Sequence, residues 1–181
     1  MLTNTDSRYG LVSRALHWLM ALMIVVLIAV GLYMSDLDPQ DAARAQIVAM
    51  HKAFGVTVLG LAILRIVWIR ISQPPPLPAA LLAWEKLLAK AVTGLLYLLM
   101  LAAPIAGYLM SNAAGKPVSF FGLFTLPALV GESKGLAETL HELHEFLAFS
   151  ILALAALHAL GALKHRFMDK EPSADVLGRM L

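Results

Sequence analysis

Long apolar runs alternate with short polar segments along the whole chain. The apolar runs predict helices at residues of about 9–34, 42–71, 81–112 and 136–168. Each run exceeds the roughly 20 apolar residues that an α-helix needs to cross a bilayer. The pattern therefore predicts an all-α fold: an integral membrane four-helix bundle, forming one domain over residues 1–181.

The segments between and beyond these helices are of different kinds. Residues 73–78, QPPPLP, cannot be helical because proline lacks a backbone N–H. Residues 111–135 form a longer loop rich in glycine and proline, with an apolar centre that we expect to lie against the bundle or at the membrane surface. We expect the polar residues 1–6 to be frayed, and residues 169–181 to form a polar tail.

The composition agrees with a membrane protein and excludes several kinds of chemistry. Hydrophobic residues make up 60% of the 181 positions and charged residues only 14%, which is too apolar for a soluble domain. There is no cysteine, so disulfides, thiolate-bound iron–sulfur clusters and covalent c-type haem are excluded. The basic residues are scattered around the apolar spans, which argues against nucleic acid as a partner.

The basic residues predict how the bundle is oriented. With both termini in the cytoplasm, ten of the fourteen lysines and arginines lie on the inner side. Basic residues accumulate on the cytoplasmic side of membrane proteins. The inner set is Arg8, Arg14, Arg65, Arg70, Lys86, Lys90, Lys164, Arg166, Lys170 and Arg179, against Arg44, Lys52, Lys116 and Lys134 outside. We therefore expect both termini to be cytoplasmic.

Four histidines fall at two depths in this topology. His144 and His158 are fourteen residues apart on the fourth helix, which is about 21 Å of rise and nearly four turns, so both leave the same face. His17 begins an outward-running helix and is inner, whereas His51 begins an inward-running helix and is outer. The histidines therefore form an inner pair, His17 and His158, and an outer pair, His51 and His144.

Two histidines on facing helices at one depth can ligate one iron from both sides. Two such pairs predict two bis-histidine haem b sites stacked across the membrane. A single membrane histidine more often makes a hydrogen bond between helices, and a divalent-metal transporter would also use membrane histidines. A transporter would usually add carboxylates within the membrane, and the inner parts of these helices contain none.

Nearby cations and glycines extend this interpretation. Arg65 lies fourteen residues after His51, at the inner depth, where it could contact a haem propionate. Arg14, one turn before His17, is either a membrane-surface anchor or a second propionate contact. Small residues beside the histidines would leave room for a flat cofactor; they are Gly31, Gly55 and Gly161.

Two further histidines have other interpretations. His141 lies about 100° away from the face of His158 on an α-helix, so we interpret it as either a residue at the membrane interface or a neighbour of the outer site. His165 lies two turns beyond His158, next to Lys164 and Arg166. It is either a solvated anchor or a polar contact in a quinone pocket.

Short motifs around the histidines resemble the bacterial di-haem cytochrome b561 family. They are SRALHW at 13–18, HKAFG at 51–55, LR at 64–65, LHE at 143–145 and LHA at 157–159. The resemblance covers essentially the whole chain. It implies that His17 and His158 bind one haem b and that His51 and His144 bind the other. It also implies ubiquinone near the inner haem, with His165 as the matching contact.

The family includes a superoxide:quinone oxidoreductase. The resemblance therefore implies electron transfer between an outer-face donor, superoxide among the candidates, and membrane ubiquinone in the bacterial inner membrane. The chain would then be an oxidoreductase or an electron carrier. A haem-bearing membrane anchor for a partner dehydrogenase or hydrogenase is one alternative, and a divalent-metal transporter is another.

Overall fold

The computed structural model describes residues 1–181, and its regular secondary structure is almost entirely helical. The elements are α1 (Leu11–Asp36), α2 (Ala42–Ile71), α3 (Ala83–Ala113), β1 (Ser119–Phe120), β2 (Phe124–Thr125), α4 (Lys134–Phe167) and a short 3₁₀ helix (Pro172–Ala174). All four α-helices are long and apolar enough to cross a membrane. The prediction of an all-α membrane four-helix bundle is confirmed, and the observed helix ends lie within two residues of the expected ones.

The chain crosses the bundle four times, so both termini lie at one end. We call this the terminal end, formed by residues 1–10, 72–82 and 168–181. The opposite end, formed by residues 37–41 and 114–133, is the hairpin end. Which end faces the cytoplasm stays a prediction from the distribution of basic residues.

Polar side chains define where three of the helices begin. Asp41 accepts a hydrogen bond from the Ala43 N–H at the start of α2, and Ser133 accepts one from Leu136 at the start of α4. The Glu85 carboxylate accepts from the Leu82 N–H at 2.9 Å at the start of α3. These bonds satisfy backbone donors that have no partner within the helix.

The protein core lies on one side of the bundle. Met20, Ala62 and Met100 are buried together where α1, α2 and α3 meet. Helix α4 packs along α3, touches α1 only slightly, and has no Cα atom within 8 Å of one in α2. Ile151 is the one buried residue of α4. Helix α4 is therefore packed mainly against α3 and contributes little to the buried core.

The prediction that the first six residues are frayed is wrong. The carbonyls of Met1 and Leu2 accept hydrogen bonds from the first turn of α1. Asn4 bonds through its backbone and its side chain to Ser72, just past the end of α2. A polar composition suggested disorder, but these polar groups have partners that are distant in sequence.

The C-terminal tail is also folded onto the terminal end. The Trp18 indole donates to the Met180 carbonyl at 3.0 Å, and the Arg179 guanidinium donates to the Pro76 carbonyl at 2.7 Å. Ala174 is buried. The tail therefore connects the ends of α1 and α4 with the loop between α2 and α3.

The loop after α3 lies against the bundle, as its apolar centre suggested. Its two short strands form an antiparallel hairpin, in which Ser119 pairs with Thr125 and Phe120 with Phe124. Gly122 has a φ of 77°, which the tight turn requires and which glycine adopts readily. The Phe121 ring meets the Phe54 ring of α2 edge to face at 5.0 Å.

Candidate functional site

Four histidines form two pairs at separate levels of the bundle. The ring centres of His17 on α1 and His158 on α4 are 6.2 Å apart, near the terminal end. The ring centres of His51 on α2 and His144 on α4 are also 6.2 Å apart, near the hairpin end. We call these the terminal-end pair and the hairpin-end pair. The structure thus pairs the same histidines that were predicted to lie at the same depth in the membrane.

A backbone carbonyl of α3 orients one member of the hairpin-end pair. Nδ1 of His144 lies 2.8 Å from the carbonyl oxygen of Ala103. Gly107 lies against the same ring, and a Cβ there would be 3.0 Å from its Cε1 and Nδ1 atoms. No functional residue was predicted on α3 from the sequence, so both contacts were missed.

The other member of this pair has an unpartnered nitrogen. Nδ1 of His51 is buried and has no hydrogen-bond partner in the protein. Gly31 of α1 is beside this ring, where an added Cβ would lie 3.5 Å from Cε1. A buried polar atom without a partner is costly, so this site favours a ligand that engages the imidazole.

The terminal-end pair has a cation beside it. Nη2 of Arg65 lies 3.1 Å from Nδ1 of His17, and its guanidinium lies over the Tyr97 ring, 5.5 Å from the ring centre. His158 is exposed, whereas His17 is half-buried. Arg65 therefore lies at the predicted level and is hydrogen-bonded to a histidine of the pair.

The remaining candidates lie at the edge of these pairs or away from them. Arg14 is half-buried, one turn before His17, and its side chain makes no hydrogen bond or ion pair. His141 is exposed on α4 and is not part of a pair. An added Cβ at Gly55 or Gly161 would have no atom within 4 Å.

His165 belongs to a polar cluster at the terminal end. Its Nδ1 lies 2.7 Å from Asp169, which also lies 2.8 Å from the Lys164 ammonium. Lys164 in turn contacts Glu85 of α3 at 2.6 Å. The hydrogen bonds from Lys164 and His165 hold the pKa of Asp169 below its ordinary value of 3.8. His165 is therefore held by a charged acceptor, with its second ring nitrogen left for another partner.

The residues of both pairs fit haem iron better than a bare metal ion. Imidazole nitrogens bind a first-row metal at about 2.0–2.1 Å, which places two opposed ring centres about 6 Å apart. Both observed separations agree with this value. The structure has no group of three or more histidine, aspartate or glutamate side chains that could hold a metal ion. Haem iron needs only axial ligands from the protein, because the macrocycle supplies the rest.

The missed residues of α3 left a weak signal in the sequence. Pro104 and Gly107 lie close together in the half of α3 nearest the hairpin end. A proline inside a helix disturbs the backbone hydrogen bonds of that turn, and a glycine permits close approach. The sequence does not show which helix faces these two positions, because that depends on how the helices pack.

A membrane four-helix bundle with two facing histidine pairs at separate levels has the architecture of a b-type membrane cytochrome. The family model for prokaryotic cytochrome b561 matches residues 8–180. The chain therefore belongs to this family, as its motifs suggested. It is a bacterial multi-pass membrane protein that functions in electron transfer through haem b.

A curated relative supports the same assignment. The chain is 41% identical over 180 residues to "Cytochrome b561 homolog 2" of Escherichia coli (strain K12). The match covers 99% of this chain and 94% of the relative. The similarity therefore extends over all four helices and both histidine pairs.

Proposed function

We propose that this protein holds two haems b and transfers electrons between a donor at the hairpin end and ubiquinone at the terminal end. The observation that carries the proposal is the presence of two histidine pairs, each with ring centres 6.2 Å apart, at two levels of one membrane bundle. His17 and His158 would hold one haem iron, and His51 and His144 the other. In α4 the two levels are separated by about 21 Å.

Haem supplies one-electron redox chemistry, and the chain determines where that chemistry takes place. Two histidines at each level would hold one haem between them, which would favour electron transfer over the binding of a small molecule at iron. The apolar helices around both levels would give the haems a low-dielectric environment. Arg65 and Arg14 are at the terminal-end level, where they would hold haem propionates through charge-assisted hydrogen bonds.

The hairpin end offers a cation near the first electron-transfer site. Lys52 follows His51 directly, and its ammonium donates to Ser111 Oγ at 3.2 Å and to the Pro117 carbonyl at 2.9 Å. The Ser111 hydroxyl also donates to the Lys116 carbonyl. Positive charge at this position would attract an anionic donor such as superoxide. Two superoxide ions would then be oxidised to dioxygen while one ubiquinone takes up two electrons and two protons.

The terminal end offers hydrogen-bonding groups for the acceptor. Asp169 accepts from Nδ1 of His165, so Nε2 is left to accept a hydrogen bond from a hydroxyl of the reduced quinone. His165 is only 11% exposed and Glu85 only 6%. With Lys164, these side chains form a connected polar cluster that would return protons to the reduced quinone.

The excess of basic residues at the terminal end supports a cytoplasmic position for both termini. The proposed location is accordingly the bacterial inner membrane. Quinone would then be reduced near the cytoplasmic surface, and the donor would approach from the outer face. A cysteine placed at each end and probed with a membrane-impermeant thiol reagent in intact cells tests this orientation, because the protein itself has no cysteine.

The first experiment is a dithionite-reduced minus oxidised absorption spectrum of the purified protein, with haem counted per chain. Two haems with a sharp b-type α band are expected. His158→Ala and His144→Ala should each lose one haem, whereas His141→Ala, an exposed histidine on the same helix, should keep both. Unchanged haem content in His158→Ala would contradict the proposal.

Electron donors and acceptors can then be tested separately. Haem reduction by superoxide, followed by reoxidation by a ubiquinone analogue, is the expected result. Reduction that occurs only in the presence of a co-purified redox subunit would instead support the membrane-anchor alternative. A colourless protein, produced with an adequate haem supply, would contradict both of these functions.

A further inference from the structure

Helix α3 contributes no histidine, yet it contacts the hairpin-end pair directly. The Ala103 carbonyl lies 2.8 Å from Nδ1 of His144, and Gly107 lies under the same ring. We infer that Ala103 and Gly107 position His144 as a ligand of the hairpin-end haem, by fixing its tautomer and its ring orientation. This inference rests on the proposed function and assigns a positioning role to α3.

The carbonyl determines which nitrogen of His144 carries the proton. A carbonyl oxygen can only accept a hydrogen bond, so Nδ1 must be the donor. In a neutral imidazole the proton is then on Nδ1, and Nε2 retains the lone pair that binds a metal. Histidine ligands of metals commonly donate their second N–H to a carbonyl or carboxylate, which fixes the ring and raises its basicity.

Gly107 provides the space that this arrangement needs. Residues four apart lie on the same face of a helix, so the His144 ring covers Gly107 while it reaches the Ala103 carbonyl one turn earlier. A Cβ at position 107 would be 3.0 Å from both Cε1 and Nδ1 of the ring. Any larger residue would therefore push the imidazole away from the carbonyl.

The terminal-end pair has a different environment, which allows a specific test. Nδ1 of His17 faces Arg65, a group that can only donate. The hydrogen bond from His144 to a carbonyl should make this ligand more basic and favour the oxidised iron. Weakening that bond should raise the midpoint potential of the hairpin-end haem and leave the terminal-end haem unchanged.

The tautomer can be measured without haem and without any variant. In the haem-free wild-type protein, ¹⁵N NMR with labelled histidine should show the proton of the His144 ring on Nδ1 and not on Nε2, with slow proton exchange. His144→Gln identifies the signal, and His141 provides an exposed comparison. An Nε2-protonated ring at His144, or rapid exchange of its Nδ1 proton, would overturn the inference.

Gly107→Ala tests the consequence in the haem-loaded protein, and Gly94→Ala is the matched control. Gly94 lies on the same helix, and a Cβ there would have no atom within 4 Å. Gly107→Ala should lose the hairpin-end haem or raise its midpoint potential, whereas Gly94→Ala should match the wild type. His51→Ala, which should retain only the terminal-end haem, identifies the two potentials. Two unchanged potentials in Gly107→Ala, or equal shifts of both, would overturn the inference.

These measurements separate this inference from the proposed function. If the wild-type protein binds no haem, the proposed function fails while the NMR result still reports on the tautomer of His144. If the wild type binds two haems and Gly107→Ala is indistinguishable from it, only the positioning role fails.

Discussion

Arg65 donates a hydrogen bond from Nη2 to Nδ1 of His17 across 3.1 Å, joining α2 to α1 beside the terminal-end pair. Because a guanidinium cannot accept, Nδ1 of His17 is the acceptor in this arrangement and Nε2 carries the proton. Ligation of iron through Nε2 would move the proton to Nδ1 and release Arg65. The cation would then be free to hold a propionate at the same level.

Replacing Arg65 should alter the terminal-end haem selectively. Arg65→Gln removes a positive charge close to the iron, so it should lower the midpoint potential of that haem, because the reduced form loses electrostatic stabilisation. Arg65→Lys should shift it less. Arg70→Gln, an exposed arginine five residues further along α2, is the control and should have no effect. A redox titration that finds the same potential in Arg65→Gln and the wild type would contradict this role.

Gly31 should tolerate a methyl group but not a larger side chain. A Cβ there would be in ordinary contact with Cε1 of His51, at 3.5 Å. Gly31→Ala should therefore keep both haems, whereas Gly31→Leu should displace the His51 ring and reduce the haem count from two to one. Gly60→Leu, where a Cβ would have no atom within 4 Å, should keep both. Two haems in Gly31→Leu would show that the space beside His51 is not needed.

The level of each histidine could be predicted from the sequence because a helix has a fixed rise per residue. An interval of fourteen residues sets the separation of His144 and His158 whatever the packing. The alternation of spans then assigns His17 and His51 to opposite ends of the bundle. The rise of a helix is a local property, and the alternation of the spans follows from the order of the helices along the chain. Neither prediction requires knowledge of side-chain contacts.

The contacts of α3 and of the N-terminal segment could not be predicted in the same way. Whether Gly107 faces His144 depends on how α3 is rotated about its axis, which packing against α4 decides. Asn4 is bonded to Ser72, which is 68 residues away, so composition alone suggested a frayed segment. The polar cluster around His165 likewise depends on Glu85, from another helix.

Asp169 should make stability depend on pH in the acid range. Its pKa is lowered by hydrogen bonds, from Lys164 first and from His165 second. A lowered folded-state pKa stabilises the protein above the unfolded value of 3.8, and this contribution is lost as the pH falls through the folded value. Asp169→Asn should therefore lower the thermal unfolding midpoint at neutral pH, and the difference from the wild type should vanish in strong acid.

The control for Asp169 is Asp6→Asn, because Asp6 is an exposed carboxylate at the same end that makes no ion pair. This variant should unfold like the wild type at every pH. A difference between Asp169→Asn and the wild type that persists unchanged below pH 3.8 would show that the carboxylate charge is not the source of the stabilisation.

Asn4 should contribute to stability although it lies only four residues from the start of the chain. Its amide donates to the Ser72 carbonyl at 2.8 Å, and its side-chain oxygen accepts from the Gly10 N–H and the Ser13 hydroxyl at 2.8 Å each. Asn4→Ala would leave several half-buried polar groups without partners, at a cost of about 1–3 kcal/mol in the free energy of unfolding. Ser7→Ala, an exposed change in the same segment, should stay within about 0.5 kcal/mol. Unfolding in detergent measures both, and equal stabilities would mean that this segment is not held by Asn4.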